Sequence, residues 1–327
     1  MRFHPPSLIA VVVILAVAAA VPVAAQRLPF ERAIDVTPGA TLDIATYRGK
    51  VTVTGHDARQ IRIDGTVTVR PLAGITAAAD PMELARRVAD RPRVEVTGNV
   101  VRLRPPLDPD ELRATTVSYV VRVPRDTRIV IVTDSGEVAV DGVTAPVTVT
   151  TQSSAIALGA LEGKAEVKTG SGDVRVDRAA GGLRVVTESS AMTLRGLGGA
   201  LEARTQSGAI RASFASAGTA DVETGSSAIQ LDGLSGRLAV RTQSGRVEVR
   251  GTPTADWDVT TGSSVIDAGF ASSAKFTLEA TSRSSSVRVQ GLTVDGFAAK
   301  ERVSGKVGGG GPTVRLASRS GQIHIGH

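Results

Sequence analysis

A four-residue phrase, a threonine followed by a variable residue and then Ser-Gly or Ser-Ser, recurs through the middle of this 327-residue chain. Successive threonines of its eight copies lie 18, 18, 18, 18, 19, 18 and 19 residues apart. Such a regular period is typical of solenoids, in which each copy is a structural unit that stacks on the next. The copies begin at Thr133, Thr151, Thr169, Thr187, Thr205, Thr224, Thr242 and Thr261.

Apolar residues alternate with polar ones on both sides of each phrase. Leu183 and Val185 precede Thr187, while Met192 and Leu194 follow its serines. Alternation with a period of two indicates β-strands, and the glycines further on indicate a second turn. Each copy therefore reads as strand, bend, strand and corner. The first inward column after the bend is Val138, Ile156, Val174, Met192, Ile210, Ile229, Val247 and Ile266.

Two architectures can use such a unit. A hairpin meander needs a tight turn with glycine or asparagine at positive φ, which every second copy, with Ser-Ser, lacks. A solenoid with parallel strands needs only a bend there. It also brings each threonine over the next, about 4.8 Å away, so that the hydroxyls can form ladders. The sequence therefore predicts an all-β protein, a parallel β-solenoid built from 18-residue units.

The phrase alternates strictly between Ser-Gly and Ser-Ser, which gives a chemical period of about 36 residues. Either an ancestral pair of copies was duplicated, or one full turn of the solenoid takes two copies. The second alternative gives the alternation a physical cause, because like bends then stack on like bends, and it is slightly favoured. The neighbour of Thr169 distinguishes them, since two copies per turn place it beside Thr205 and one places it beside Thr187.

The ends of the chain fit the same scheme. Thr46-Tyr-Arg-Gly is an early copy and Ser318-Arg-Ser-Gly a last one. We expect residues 26–128 to form an irregular N-terminal cap, continuous with a repeat solenoid over 129–327. The cap contains one predicted helix, Pro81 to Asp90, with proline in its first turn. A cap of this kind covers the end strand of a solenoid.

Residues 1–25 read as a signal peptide. Arg2 supplies a positive charge, an apolar stretch runs from Leu8 to Val21, and Val23-Ala24-Ala25 suits signal peptidase. The apolar stretch is shorter than the roughly 20 residues of a membrane-spanning helix, so we expect no transmembrane span after processing. Cysteine is absent, which excludes disulfides, a lipid anchor on cysteine and thiol catalysis. The expected location is the periplasm, the cell surface or the medium.

The charge balance narrows the class of partner. Removing Arg2 from the 38 basic residues leaves 37 against 32 acidic ones, a small excess that suits an anionic glycan or an envelope protein. Aromatic residues make up only 3% of the chain. We therefore expect no nucleic-acid partner, since such proteins show basic runs or stacking aromatics.

Candidate ligand-binding residues lie at the outward positions of the strands. The simplest interpretation of these cations is a solvated surface that protects solubility. The functional interpretation is an extended, weakly cationic face for an anionic polymer or partner. The residues concerned are Lys168, Arg175, Arg204, Arg211 and Arg241.

Candidate catalytic and metal-binding residues are lacking. No histidine has a partner at metal-ligand spacing, and the serines belong to the bends. Asp141, Asp177 and Asp232 share a column, but turn formation explains dispersed aspartates. We expect no enzyme activity, cofactor or metal. A carbohydrate-active β-helix enzyme, which would need converging carboxylates, and an envelope-stress protein that acts through a protein partner remain alternatives.

Several segments together resemble a known family. Gly49-Lys-Val-Thr-Val-Thr-Gly, Tyr119-Val-Val-Arg-Val-Pro, the repeated Thr-x-Ser-Gly-x-Val-x-Val and the closing Ser-Gly-Gln-Ile-His-Ile are similar to the bacterial "putative adhesin" family of exported β-strand-repeat proteins. The resemblance covers about 30–327. It implies a β-helix-like fold and a non-catalytic role at the cell envelope, and it assigns no catalytic residue.

Overall fold

The computed structural model describes residues 27–70 and 80–326, so the expected signal peptide lies outside the described residues. Two long sheets face each other around one core: sheet 1 has 14 strands and sheet 2 has 15. Nearly all strand pairs within the repeat are parallel. Sheet 1 contains β1 (Arg27–Asp35), β3 (Val51–His56), β4 (Gln60–Val69), β7 (Thr115–Pro124), β9 (Val138–Asp141), β11 (Ile156–Leu161), β13 (Val174–Ala179), β15 (Met192–Leu197), β17 (Ile210–Phe214), β19 (Ile229–Leu234), β21 (Val247–Gly251), β23 (Ile266–Phe270), β25 (Val287–Val289) and β29 (Ile323–Gly326).

Sheet 2 holds the strands that precede each phrase. They are β2 (Thr41–Arg48), β5 (Val94–Thr97), β6 (Val100–Leu103), β8 (Arg128–Ser135), β10 (Val147–Ser153), β12 (Ala165–Ser171), β14 (Leu183–Thr187), β16 (Leu201–Thr205), β18 (Ala220–Thr224), β20 (Leu238–Thr242), β22 (Trp257–Thr261), β24 (Phe276–Ser282), β26 (Val294–Ala298), β27 (Arg302–Val307) and β28 (Thr313–Ser318).

Each copy of the repeat makes one full turn of the solenoid. The chain runs along sheet 2, bends at the phrase, returns along sheet 1 and turns the corner. Thr169 on β12 pairs with Thr151 on one side and with Thr187 on the other. The predicted parallel β-solenoid with 18-residue units is confirmed. The expectation of about 36 residues per turn is wrong, because the corner after β13 already returns the chain to sheet 2.

The alternation of Ser-Gly and Ser-Ser has a different physical cause. At Gly208 a Cβ atom would lie 1.6 Å from the carbonyl oxygen of Ser190 in the preceding turn. Only glycine can approach another backbone this closely. A phrase that stacks on a Ser-Ser phrase therefore needs glycine as its fourth residue. The same approach brings Gly172, Gly245 and Gly321 against the carbonyl oxygens of Ser154, Ser227 and Ser264.

The inward columns form one continuous hydrophobic core. All eight residues of the column that begins at Val138 are at most 1% exposed. Trp257 is likewise buried, as expected for a residue at a core position, and its indole Nε1 donates to the carbonyl oxygen of Gly236 at 2.8 Å. Its ring packs on Phe270, with 5.5 Å between ring centroids. This burial stabilises stacked turns that have no disulfide to hold them.

The eight threonines lie in one buried column, but their hydroxyls do not form a continuous ladder. Among them only Thr187 and Thr205 are joined by a hydroxyl–hydroxyl hydrogen bond, of 3.0 Å. Thr205 and Thr242 instead accept the backbone N–H of the glycine three residues later, at 3.1 and 3.0 Å. At these two bends the threonine therefore holds the turn in shape, through a local bond typical of Ser and Thr.

The N-terminal region contains two short helices and the strands that end both sheets. Helix α1 (Pro81–Asp90) has the predicted bounds, and α2 (Pro109–Ala114) follows Asp108, whose side chain caps its N-terminus. Strands β1 and β4 end sheet 1 in antiparallel pairing, and the β5–β6 hairpin ends sheet 2. No helix of the described residues has the length and apolarity needed to cross a membrane.

The C-terminal strands are inserted into the stack. Strand β28 lies between β22 and β24, and β29 lies between β23 and β25. The copy at Ser318 is therefore the last in sequence and not the last in space. The insertion places a Ser-Gly bend between the Ser-Ser bend of Thr261 and that of Ser282, so the alternation continues through the turn.

Replacing Gly208 by alanine should destabilise the solenoid by about 2–3 kcal/mol, because the added methyl group collides with the backbone of the preceding turn. Ser190→Ala is the matched control, since the buried Ser190 hydroxyl has no hydrogen-bond partner and its loss should be nearly neutral. Urea unfolding measures both changes. Equal stability of the two variants would contradict the close approach.

Candidate functional site

The outer face of sheet 2 presents two shallow grooves along its edges. The corner groove, of about 750 Å³, follows the side where the strands begin, from Arg128 to Ala239. The bend groove, of about 850 Å³, follows the side where the strands end, from Thr151 to Thr260. Both cross several turns, so each can take an extended ligand that lies across the strands.

A chain of ion pairs separates the two grooves. Lys168 lies 2.9 Å from Glu166, and Arg184 lies between Glu166 and Glu202 and pairs with both. Arg204 extends the chain, 3.2 Å from Glu202. Lys168 and its hydrogen bond hold the pKa of Glu166 below its usual value. Exposed pairs of this kind contribute little to stability, so their main effect is a fixed pattern of charge.

The structure divides the five predicted cations between two faces. Lys168, Arg204 and Arg241 lie on sheet 2 and line the bend groove. Arg175 and Arg211 lie on sheet 1, on the opposite side of the core. Four of the five pair with a carboxylate, and only Arg211 makes no ion pair with a described residue. They do not form a single basic face.

Three further cations, which the alternation of the strands did not reveal, line the corner groove. Arg128, Lys164 and Arg237 are exposed and make no ion pair within the described part of the chain. The corner residues of successive turns form one column, because their carbonyl groups accept an N–H from the strand of the preceding turn. All three cations lie in that column. Gly182, Ala200 and Thr219 separate Lys164 from Arg237 and leave the groove open. The groove is lined by five basic and three acidic residues: Arg128, Lys164, Arg184, Arg204 and Arg237, with Glu166, Glu202 and Asp221.

The acidic side chains of the described residues do not converge. No group of three or more His, Asp or Glu side chains is placed to hold a metal ion there. The Asp141 carboxylate accepts the backbone N–H of Ala160 at 2.8 Å, and Asp177 pairs with Arg175. Each of these aspartates therefore contacts its own neighbours and they do not share a site. His324 on β29 lies with its Nδ1 3.0 Å from the Asp267 carboxylate.

Stacked parallel turns with a bend at every phrase define the class of protein as a β-solenoid of the toastrack type. The chain belongs to the Toastrack DUF4097 family, whose pattern matches residues 115–326. The resemblance seen in its repeated segments is thereby confirmed. No curated protein matches the chain.

Several solved structures are similar to this chain at low identity. A "putative adhesin" from Bacteroides fragilis is 13% identical, with 91% of this chain and 96% of that chain covered and a TM-score of 0.38. A "putative lipid binding protein" from Parabacteroides distasonis is 10% identical, with the same coverages and a TM-score of 0.41. A "putative cell adhesion protein" from Clostridium sporogenes is 12% identical, with 91% and 99% covered and a TM-score of 0.25.

Replacing Lys168 by glutamine should raise the pKa of Glu166, because the hydrogen bond and the charge that lower it are both removed. Since the folded-state pKa of Glu166 is depressed, the stability that this pair supplies is present above the unfolded pKa and is lost as the pH falls through the folded pKa. Carboxylate-detected NMR titration measures the shift. Arg241→Gln is the control and should leave Glu166 unchanged; an equal response to both changes would contradict the pairing.

Proposed function

We propose that this chain is an exported, non-enzymatic surface-binding protein of the cell envelope, which holds an anionic polymer such as an acidic glycan across the outer face of sheet 2. The observation that supports it most is the column of unpaired cations in the corner groove. Arg128 and Lys164 lie two turns apart, and Arg237 lies four turns further along, so the three cations span about 29 Å at 4.8 Å per turn.

A rigid row of separated positive charges suits a long ligand better than a small one. A polymer can contact all three cations at once, and each contact raises the effective concentration of the next. The stacked strands fix the spacing before the ligand arrives, so little conformational entropy is lost on binding. The paired cations of the bend groove, including Lys168 and Arg241, would contribute less, because a ligand must compete with their carboxylate partners.

Three sets of charge-neutralising substitutions distinguish the possible binding surfaces. The corner set is Arg128→Gln, Lys164→Gln and Arg237→Gln; the bend set changes Lys168, Arg204 and Arg241 to glutamine; the sheet 1 set does the same to Arg175 and Arg211. Binding to immobilised alginate, a polyuronate, is measured at two salt concentrations, with neutral dextran as the control polymer.

The corner set should weaken binding about tenfold, at about 0.5 kcal/mol for each exposed charge. The bend set should have a smaller effect and the sheet 1 set almost none. Binding should also weaken at higher salt, because screening shortens the range of exposed charges. Equal loss from the sheet 1 set, or equal binding to dextran, would contradict the proposal.

Export has its own test. Expressed in a bacterial host with residues 1–25 in place, the protein should appear in the periplasmic or extracellular fraction. Its N-terminal sequence should begin at Gln26, because small residues at Val23 and Ala25 direct cleavage after Ala25. Recovery of the uncleaved chain from the cytoplasm would contradict the export part of the proposal and leave the binding surface to the alginate experiment.

A further inference from the structure

A small cavity lies between the cap helices and the first strands of sheet 1, well away from the outer face of sheet 2. We name it the cap cavity; its volume is about 260 Å³. Phe30 on β1, Val88 on α1, and Val117 and Tyr119 on β7 form its apolar wall, and Leu107, which is 79% exposed, lies at its edge. Well-formed apolar pockets with a few polar groups are the usual binding sites for small molecules.

Tyr119 supplies a polar group that the protein itself does not use. The residue is 4% exposed, and its ring packs edge-on against Phe30 with 6.3 Å between centroids. Its hydroxyl forms no hydrogen bond with any residue of the described part of the chain. Burial alone raises the pKa of Tyr119 to about 12, so the phenol stays neutral and can donate. The hydroxyl is therefore available to donate one hydrogen bond to a molecule that enters the cavity.

The arginines around the cavity differ in whether they already bind a carboxylate of the protein. Arg104 binds the Asp43 carboxylate at 2.9 Å, and Arg93 binds Glu95 at 2.8 Å and the carbonyl oxygen of Pro105 at 3.0 Å. Arg91, in contrast, is exposed and makes no ion pair with a described residue. The cap cavity therefore combines an apolar wall, one neutral hydroxyl donor and one cation that is free to bind an anion.

Two acidic residues also line the cavity, and each is held by other groups of the protein. Asp108 uses one carboxylate oxygen to cap α2, accepting from the N–H of Asp110 at 2.8 Å. Glu111 lies 3.5 Å from Arg87, and burial, with a smaller contribution from Asp108, raises its pKa. Both carboxylates therefore have partners on the cap helices, whereas Arg91 makes no ion pair with a described residue.

We propose that the cap cavity binds a small amphipathic carboxylate, whose acyl chain or aromatic ring packs on Phe30, Val88 and Val117 and whose carboxylate binds Arg91 and the Tyr119 hydroxyl. The volume limits the ligand. It lies just below the roughly 300–1,000 Å³ of drug-sized pockets, so a single short chain or one ring fits and a diacyl lipid does not. An anionic head matches Arg91 and the Tyr119 hydroxyl, an apolar body matches the wall of Phe30, Val88 and Val117, and a cationic head would meet the repulsion of Arg91.

Octanoate and benzoate are the probes, titrated by calorimetry into the purified protein, with octylamine as the control of opposite charge. Both carboxylates should bind at one saturable site and octylamine should not. Tyr119→Phe should weaken binding about five- to tenfold, the value of one hydrogen bond. The same change should not lower the melting temperature of the free protein, because the lost hydroxyl has no partner there.

Arg91→Gln should weaken carboxylate binding to a similar degree, whereas Arg86→Gln should not. Arg86 is an exposed arginine on α1 that does not line the cavity, and Arg91 directly follows that helix. Leu107→Trp, at an exposed position, should block entry without affecting the core. Any of three results would overturn the proposal: no saturable binding of either carboxylate, octylamine binding as tightly as octanoate, or a Tyr119→Phe variant that melts lower and binds unchanged.

Discussion

Direct stacking of each copy on the one before it is the constraint on which the rest of the structure depends. Adjacent turns are one strand spacing apart, about 4.8 Å, so equivalent residues form columns along the whole body. The inward columns bury aliphatic side chains such as Val174 and Met192 against their counterparts. At the bend the approach is closer still, and the Gly208 backbone meets the Ser190 carbonyl where no side chain fits. The alternation of Ser-Gly and Ser-Ser follows from that approach.

The same stacking turns a sequence period into a surface period. A cation that recurs at one position of the copy becomes a member of a straight row, as Arg128, Lys164 and Arg237 do along the corner groove. Whether such a cation can bind a ligand depends on the residues in the neighbouring columns. Lys168, for example, already pairs with Glu166, which lies two residues before it on the same strand. The early copy at Thr46 continues the columns into the N-terminal region, whose helices line a cavity that the repeat itself could not form.

The inward columns and helix α1 were predictable, because burial follows the period of two and Pro81 is an ordinary helix start. The number of copies per turn was not, since the alternation fits one or two copies and only the pairing of Thr169 with Thr151 and Thr187 decides. The insertion of β28 between β22 and β24 could not be predicted from the order of the strands along the chain. The one signal for it is that two successive copies, at Thr261 and Ser282, are both Ser-Ser and so break the alternation. Of the three corner-groove cations, Lys164 and Arg237 lie just before a strand and Arg128 is the first residue of β8. The division of Arg175 from Lys168 depends on which sheet each strand joins.

Disulfide trapping between adjacent turns tests the stacking most directly, because the chain has no cysteine of its own. Thr148 and Glu166 face each other on neighbouring strands, within the Cα separation of roughly 4.4–6.8 Å that a disulfide needs. One copy per turn predicts that Thr148→Cys with Glu166→Cys crosslinks under mild oxidation, and that Thr148→Cys with Arg184→Cys does not. Crosslinking of the second pair without the first would contradict the stacking of each copy on its neighbour in sequence.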